Sequence, residues 1–331
     1  MLLFLLPFLL SLTTPVVGVD ADVPAWAATA ALPRQPPGLA PPALGLLSNV
    51  FGDHMVLQAG QPIAVWGFAP PRTAVTVTFT CGAGALNTTV ASAAGQWRLT
   101  LPPCAAGPTP YTLTASTPAA SVTLTDVLVG SVFFLSGQSN LSGATTSLAY
   151  VFNASASEAE AGGFPQVRLL QVGERATQGL LPPQAQLGYD PALPWSVASA
   201  GTAAVFSGVG YMFGKVLARE LGAGHPIGLV ESAWSGTCIQ AWLPAAALAQ
   251  CGAVPPAQGW QTNSTLYNQM VAPFAGMAVA GVVWVRLQGV AGCRATFFSP
   301  SACPLAHSPF PLLPLSPIPQ CAPVALQYQG Q

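Results

Sequence analysis

Residues 126–142, DVLVGSVFFLSGQSNLS, join a long apolar run to an abrupt turn. Val127, Leu128 and Val129, then Val132, Phe133, Phe134 and Leu135, have the unbroken hydrophobicity of a strand covered on both faces. Such strands belong to parallel sheets with helices above and below. Gly137 permits the unusual backbone angles of a sharp turn. Ser139 then falls at the carboxyl edge of the sheet, where open α/β folds place their ligands. A hydroxyl held there is a candidate nucleophile if a base reaches it. The alternative is that Ser139 only caps the next helix.

The pattern differs on the two sides of this stretch. Before it, residues 62–68, 74–79, 96–101, 111–115 and 121–125 are short runs, several with apolar and polar residues alternating at period two. Turns rich in Pro and Gly separate them. This spacing predicts a small antiparallel β-sandwich over residues 48–125. After it, strands are expected at 167–172, 226–232 and 281–285. Helices are expected at 206–221, where apolar residues recur at helical spacing before Gly222, and at 266–277. Strands alternating with helices imply a parallel α/β sheet over residues 126–285. Residues 19–47 are rich in Pro and Ala without a period and read as a linker. Residues 286–331 are proline-rich and aperiodic, and are expected to be a disordered tail, the product of a truncated or mispredicted gene.

Charged residues make up 6% of the 331, against a usual ~25%. With one lysine and eight arginines for a net charge of −1, the chain has no basic patch for nucleic acid. Residues 1–18 open with LLFLLPFLLSL and are read as a secretory signal peptide cut near Gly18. They lack a positive start, so an uncleaved membrane anchor is the alternative. A secreted or endomembrane, lysosome-like lumenal location follows. Seven cysteines leave at least one unpaired; Cys81 with Cys104, and Cys238 with Cys251, are spaced to pair. Sequons at Asn87, Asn153 and Asn263 are the expected glycosylation sites. Asn140 also begins one, but lies against the expected turn. No cysteine spacing, with three histidines in all, suggests a metal site, and no cofactor is expected.

Several segments together match one pattern. They are residues 47–58 (LSNVFGDHMVLQ), 62–67 (PIAVWG), 95–98 (GQWR), 126–130 (DVLVG), 137–140 (GQSN), 206–211, 228–242 and 266–270 (LYNQM). Over residues 46–285 the chain resembles the sialate O-acetylesterase family, within the SGNH (GDSL-like) hydrolases. The resemblance implies an SGNH-type parallel sheet with flanking helices, and an enzyme that removes O-acetyl groups from sugars such as sialic acid. It makes Ser139 the nucleophile and a backbone donor to the oxyanion. Gly236 matches the glycine that completes the oxyanion hole. Gln138 and Asn140 beside the nucleophile, and Trp234 and Thr237 in the second loop, are the candidate substrate-binding residues.

The chain departs from the family pattern in four places. Ser235 replaces the first glycine of the family's SSWGGTxIEAW loop, and Gln240 replaces its glutamate. The family's WYQGESN strand end becomes Trp284-Val-Arg-Leu-Gln-Gly, where Gln288 and Gly289 are matched by coincidence or after an insertion. The Asp-x-x-His segment that supplies base and orienter has no counterpart. His54, His225 and His307 are expected to be structural or solvated. Without a base a serine hydroxyl stays protonated, so weak or absent activity is expected of the chain as it stands. Two other readings are a non-catalytic carbohydrate-binding or remnant protein, and an acetylxylan-type esterase on the same fold.

Overall fold

The computed structural model describes residues 45–82, 84–144, 160–174, 176, 183–249 and 262–285. The expectations for the signal peptide, most of the linker, Asn153, Cys251, Gln288, Gly289, His307 and the tail lie outside them. Eleven strands run in chain order among the described residues: β1 (Val56–Gln58), β2 (Ile63–Phe68), β3 (Ala74–Phe79), β4 (Ala85–Val90), β5 (Gln96–Leu101), β6 (Gly107–Ser116), β7 (Ser121–Gly137), β8 (Val167–Gln171), β9 (Leu193–Val197), β10 (Ile227–Ala233) and β11 (Gly281–Val285).

Period-two alternation builds the first layers as expected. Val75, Val77 and Phe79 of β3 and Trp97, Leu99 and Leu101 of β5 are buried, while their neighbours face outward. The inner faces of β3, β6 and the first half of β7 share one core with the separate antiparallel pair β2–β5. A disulfide between Cys81 and Cys104 staples this part. Cys238 is also disulfide-bonded.

Strand β7 carries the architecture. It is 17 residues long and crosses the junction expected at residues 125 and 126 without ending. Its first half pairs antiparallel with β6. Its second half pairs in parallel with β10 on one side and β11 on the other. β8 extends the parallel sheet beyond β10, and β9 closes it in antiparallel fashion. One sheet of nine strands thus runs from the antiparallel part into the α/β part, with flanking helices, as the α/β reading requires. The chain bends at Asp126, which adopts φ 53°. Arg168, nearly buried, and His54 both bond its carboxylate, His54 Nδ1 at 2.7 Å.

Helices α1 (Ser139–Ser142), α2 (Ala200–Val205), α3 (Gly208–Leu221) and α4 (Ala245–Leu248) connect the strands. In α3, Ser207 caps the first turn by accepting the Gly210 N–H. The packed face carries most of the expected apolar residues: Tyr211 is buried, and Val209, Phe213, Leu217 and Leu221 are half-buried against the core. Gly210, Tyr211, Gly214, Lys215 and Ala218 are buried, and Val216 is exposed. A Cβ on Gly210 would stand 2.6 Å from Leu135 Cδ1, and one on Gly214 2.5 Å from Leu229 Cδ1. The helix lies so close to β7 and β10 that a larger residue at either position would have to displace a leucine methyl. The segment expected to be helical at 266–277 is helical to Phe274, as a π-helix, Tyr267–Val271, followed by a 3₁₀ turn, Ala272–Phe274.

Candidate active site

The carboxyl ends of β7, β10 and β11 meet at Gly137, which is in register with Ala233 and Val285. Gly137 has φ 146°, and a Cβ there would overlap the carbonyl oxygen of Val285. The strand therefore ends in a turn that only glycine can make. The next amide, of Gln138, donates to Val285 O at 3.1 Å, and Gly137 O accepts from Trp234 N–H at 3.2 Å. Gln138, not Ser139, takes the cap position of α1 and makes no side-chain cap bond. Ser139 and Asn140 are exposed, while Leu141, buried completely, pins the short helix to the core. Ser139 is thus an exposed residue at the sheet edge.

The loop after β10 runs beside this turn. The Gln138 side chain, buried, donates from Nε2 to Thr237 O. Thr237 Oγ1 donates to Trp234 O at 2.7 Å and accepts from Trp242 Nε1 at 2.9 Å. These bonds close a tight turn around Gly236, which has φ 70° and is exposed. Trp242 is buried and stacks edge-on against Trp284 at 5.9 Å, joining the loop to β11. Of the four candidate substrate contacts, Asn140 faces solvent and Trp234 is half-buried. Gln138 and Thr237 are buried and their polar atoms are used inside the protein.

A third loop joins them. Gly173, with φ 80°, turns the chain after β8 so that Glu174 reaches across. Glu174 Oε1 accepts the Ser235 N–H at 2.7 Å and the Ser142 hydroxyl at 3.4 Å, and the two serine hydroxyls are 3.1 Å apart. Beneath this loop, Glu231 of β10 is 1% exposed. Neither of its oxygens has a hydrogen bond of ordinary geometry. Burial pushes its carboxyl up to about 8, helped by the Glu174 charge and opposed by Gln171 and the Ala233 backbone. Glu174 and Ser142 escaped the sequence reading, and Glu231 was given no role; Trp242, read from sequence as a core residue more often than a sugar platform, is buried. The only local signal was Ser235 standing where the family has glycine.

Both described histidines lie far from Ser139. His225 Nε2 is 2.8 Å from Ser131 Oγ. Ser131 precedes Gly137 by six residues on β7, roughly 20 Å at ~3.3 Å per residue. His54, bound to Asp126, is farther still. Asn87, on exposed strand β4, donates to Thr100 O at 2.9 Å, and Asn263 is half-buried. Among the described residues no three His, Cys, Asp or Glu side chains gather as metal ligands would.

A family model described as carbohydrate esterase, sialic acid-specific acetylesterase, matches residues 129–296. The sialate O-acetylesterase of Pongo abelii is 32% identical over 259 residues, covering 72% of this chain and 48% of that protein. The human sialate O-acetylesterase is 31% identical over 260 residues with the same coverage of each. A solved structure, a carbohydrate acetylesterase from Xanthomonas citri, is 34% identical with a TM-score of 0.62, covering 73% of this chain and 51% of that one. The chain spans about half the length of the curated relatives it matches.

Proposed function

Because the chain belongs to the sialic acid-specific acetylesterase family of carbohydrate esterases, we propose that it is built to remove O-acetyl groups from sugars, sialic acid foremost, with Ser139 as nucleophile. One observation carries this reading: Ser139 stands exposed on a glycine-dependent turn at the carboxyl edge of a parallel sheet, and its neighbour Gln138 bonds the loop of Gly236. Ser139 Oγ attacks the acetyl carbonyl, and the sugar alkoxide leaves with a proton. Water then hydrolyses the acetyl-serine. The amides of Ser139 and Gly236 hold the oxyanion, each such donor being worth ~3–4 kcal/mol in the transition state. The Ser235 amide takes no part, because Glu174 holds it. Gln138 and Thr237 act by fixing the two loops, and Asn140 and Trp234 face the sugar.

His54 and His225 sit at the opposite edge, so neither takes the Ser139 proton. That observation favours a second reading, a carbohydrate-binding protein without turnover. Acetate release from O-acetylated sialic acid separates the two. The esterase reading expects release that is lost in Ser139→Ala; equal release by both proteins refutes Ser139 as nucleophile. The Cys81–Cys104 and Cys238 disulfides support an oxidising compartment. With them goes the reading of residues 1–18 as a secretory signal, of Asn87, Asn153 and Asn263 as glycan carriers, and of a secreted or lumenal protein. Membrane attachment enters only if that signal stays uncleaved. The net charge of −1 supports a sugar rather than a nucleic-acid partner.

A further inference from the structure

We propose that Glu174 is a positioning residue, a latch whose single carboxylate ties the loop carrying Gly236 to the helical turn carrying Ser139. Three strand ends converge on it. β7 leads into α1 and Ser142, β10 leads into Ser235, and β8 leads through Gly173 into Glu174 itself. Glu174 Oε1 accepts from the Ser235 amide at 2.7 Å and from the Ser142 hydroxyl at 3.4 Å, while Ser142 and Ser235 face each other at 3.1 Å. A carboxylate accepting an amide proton is among the stronger hydrogen bonds available to a loop. Its seat is prepared by the backbone: Gly173 takes φ 80°, and a Cβ there would stand 2.7 Å from that of Ala192.

The consequence for chemistry is directional. Ser235 directly precedes Gly236, so fixing the Ser235 amide on Glu174 sets the orientation of the following peptide. Ser142 lies one helical turn after Ser139, so the same carboxylate sets the other side. Donors aimed at an oxyanion work because they need no reorganisation when charge develops. Freeing the loop therefore lowers turnover more than it weakens ground-state binding. Ser235, where the family has glycine, adds a hydroxyl bridge that a glycine cannot make.

The inference rests on the esterase reading for its kinetic part only. The test compares the parent chain with Glu174→Ala, Glu174→Gln and Ser235→Gly. Amide hydrogen exchange is followed by mass spectrometry in peptides covering residues 139–144 and 234–238. Kinetics are followed with p-nitrophenyl acetate. Glu174→Ala is expected to speed exchange of both peptides and to lower kcat about tenfold with KM within about twofold, the low end for a hydrogen bond to a charged group. Glu174→Gln, which keeps an acceptor oxygen, restores most of both; Ser235→Gly, which keeps the amide bond, loses about twofold. Unchanged exchange in Glu174→Ala overturns the latch, as does a raised KM with kcat intact, which would make Glu174 a substrate contact. Failure of the esterase reading shows separately, as parent turnover no greater than that of Ser139→Ala, and the exchange measurement still decides the latch.

Discussion

Replacing Glu231 by glutamine removes a buried carboxyl while keeping its shape. The pKa of Glu231 is pushed up to about 8 from an ordinary 4.5, chiefly by burial. At ~1.4 kcal/mol per pH unit, ionising it in place costs up to about 5 kcal/mol. The sign follows from proton counting. Below pH 4.5 the side chain is protonated whether the protein is folded or not, and it contributes no slope. Between 4.5 and about 8 the unfolded chain gives up the proton and the folded chain keeps it, so stability falls as pH rises. Above about 8 both forms are ionised and the loss is complete. Glutamine cannot ionise, so Glu231→Gln is expected to match the parent near pH 4. It gains steadily on the parent to pH 8–9, by a few kcal/mol at most. Urea unfolding followed by tryptophan fluorescence at pH 4, 6, 7 and 8.5 measures the difference. A parent-to-variant gap that stays constant across this range refutes the reasoning, because it means Glu231 is ionised in the folded protein as readily as in the unfolded chain.

Other outcomes follow from geometry already described. Gly137→Ala forces a side chain to φ 146° and into Val285 O; it is expected to cost at least about 3 kcal/mol and to abolish fluorophosphonate labelling of Ser139, measured by thermal unfolding and mass spectrometry. At Asp126 burial raises the carboxyl pKa, but the bonds and charges of Arg168 and His54 outweigh it and hold it below 3.8. The stability it supplies is present above that value and is lost as pH falls through the lower folded one. Asn tolerates positive φ as well as Asp does, so Asp126→Asn isolates the charge. It should destabilise by about 1–3 kcal/mol at neutral pH, and by progressively less as pH falls below 3.8, read from urea midpoints. Cys81→Ser opens a loop closed over 23 residues and is expected to cost about 3 kcal/mol, visible as a lower melting temperature in the absence of reductant.

The parts that sequence made legible are those where side-chain period and burial coincide. β3 and β5 lie where period-two alternation places them, because each has one wet face and one dry one. The buried run of β7 and the turn at Gly137 were legible because apolar length and a glycine before Ser139 point the same way. Short edge elements were not. β9 carries Pro194, which a central strand would not accept but an edge strand does, and it lies at the end of the sheet. β4 is exposed along most of its length, so it shows no core face. For α3 the apolar spacing placed the helix and most of its packed face, but not the exposure of Val216 or the close approach at Gly210 and Gly214. In the site, Ser139 was a candidate from the strand and turn alone, while the loop of Gly236 came from the family resemblance. The Glu174 latch did not, since its partners come from three loops distant in the chain.

The same 17 residues that hold Ser139 at one end are hydrogen-bonded, at the other, into the sandwich. A recombinant fragment beginning at Asp126 would sever this shared beam and leave the half that carries Ser139 with a frayed margin. Shuffling of the two halves among homologues is therefore constrained: a viable crossover has to fall before Ser121, so that the whole strand travels with the serine.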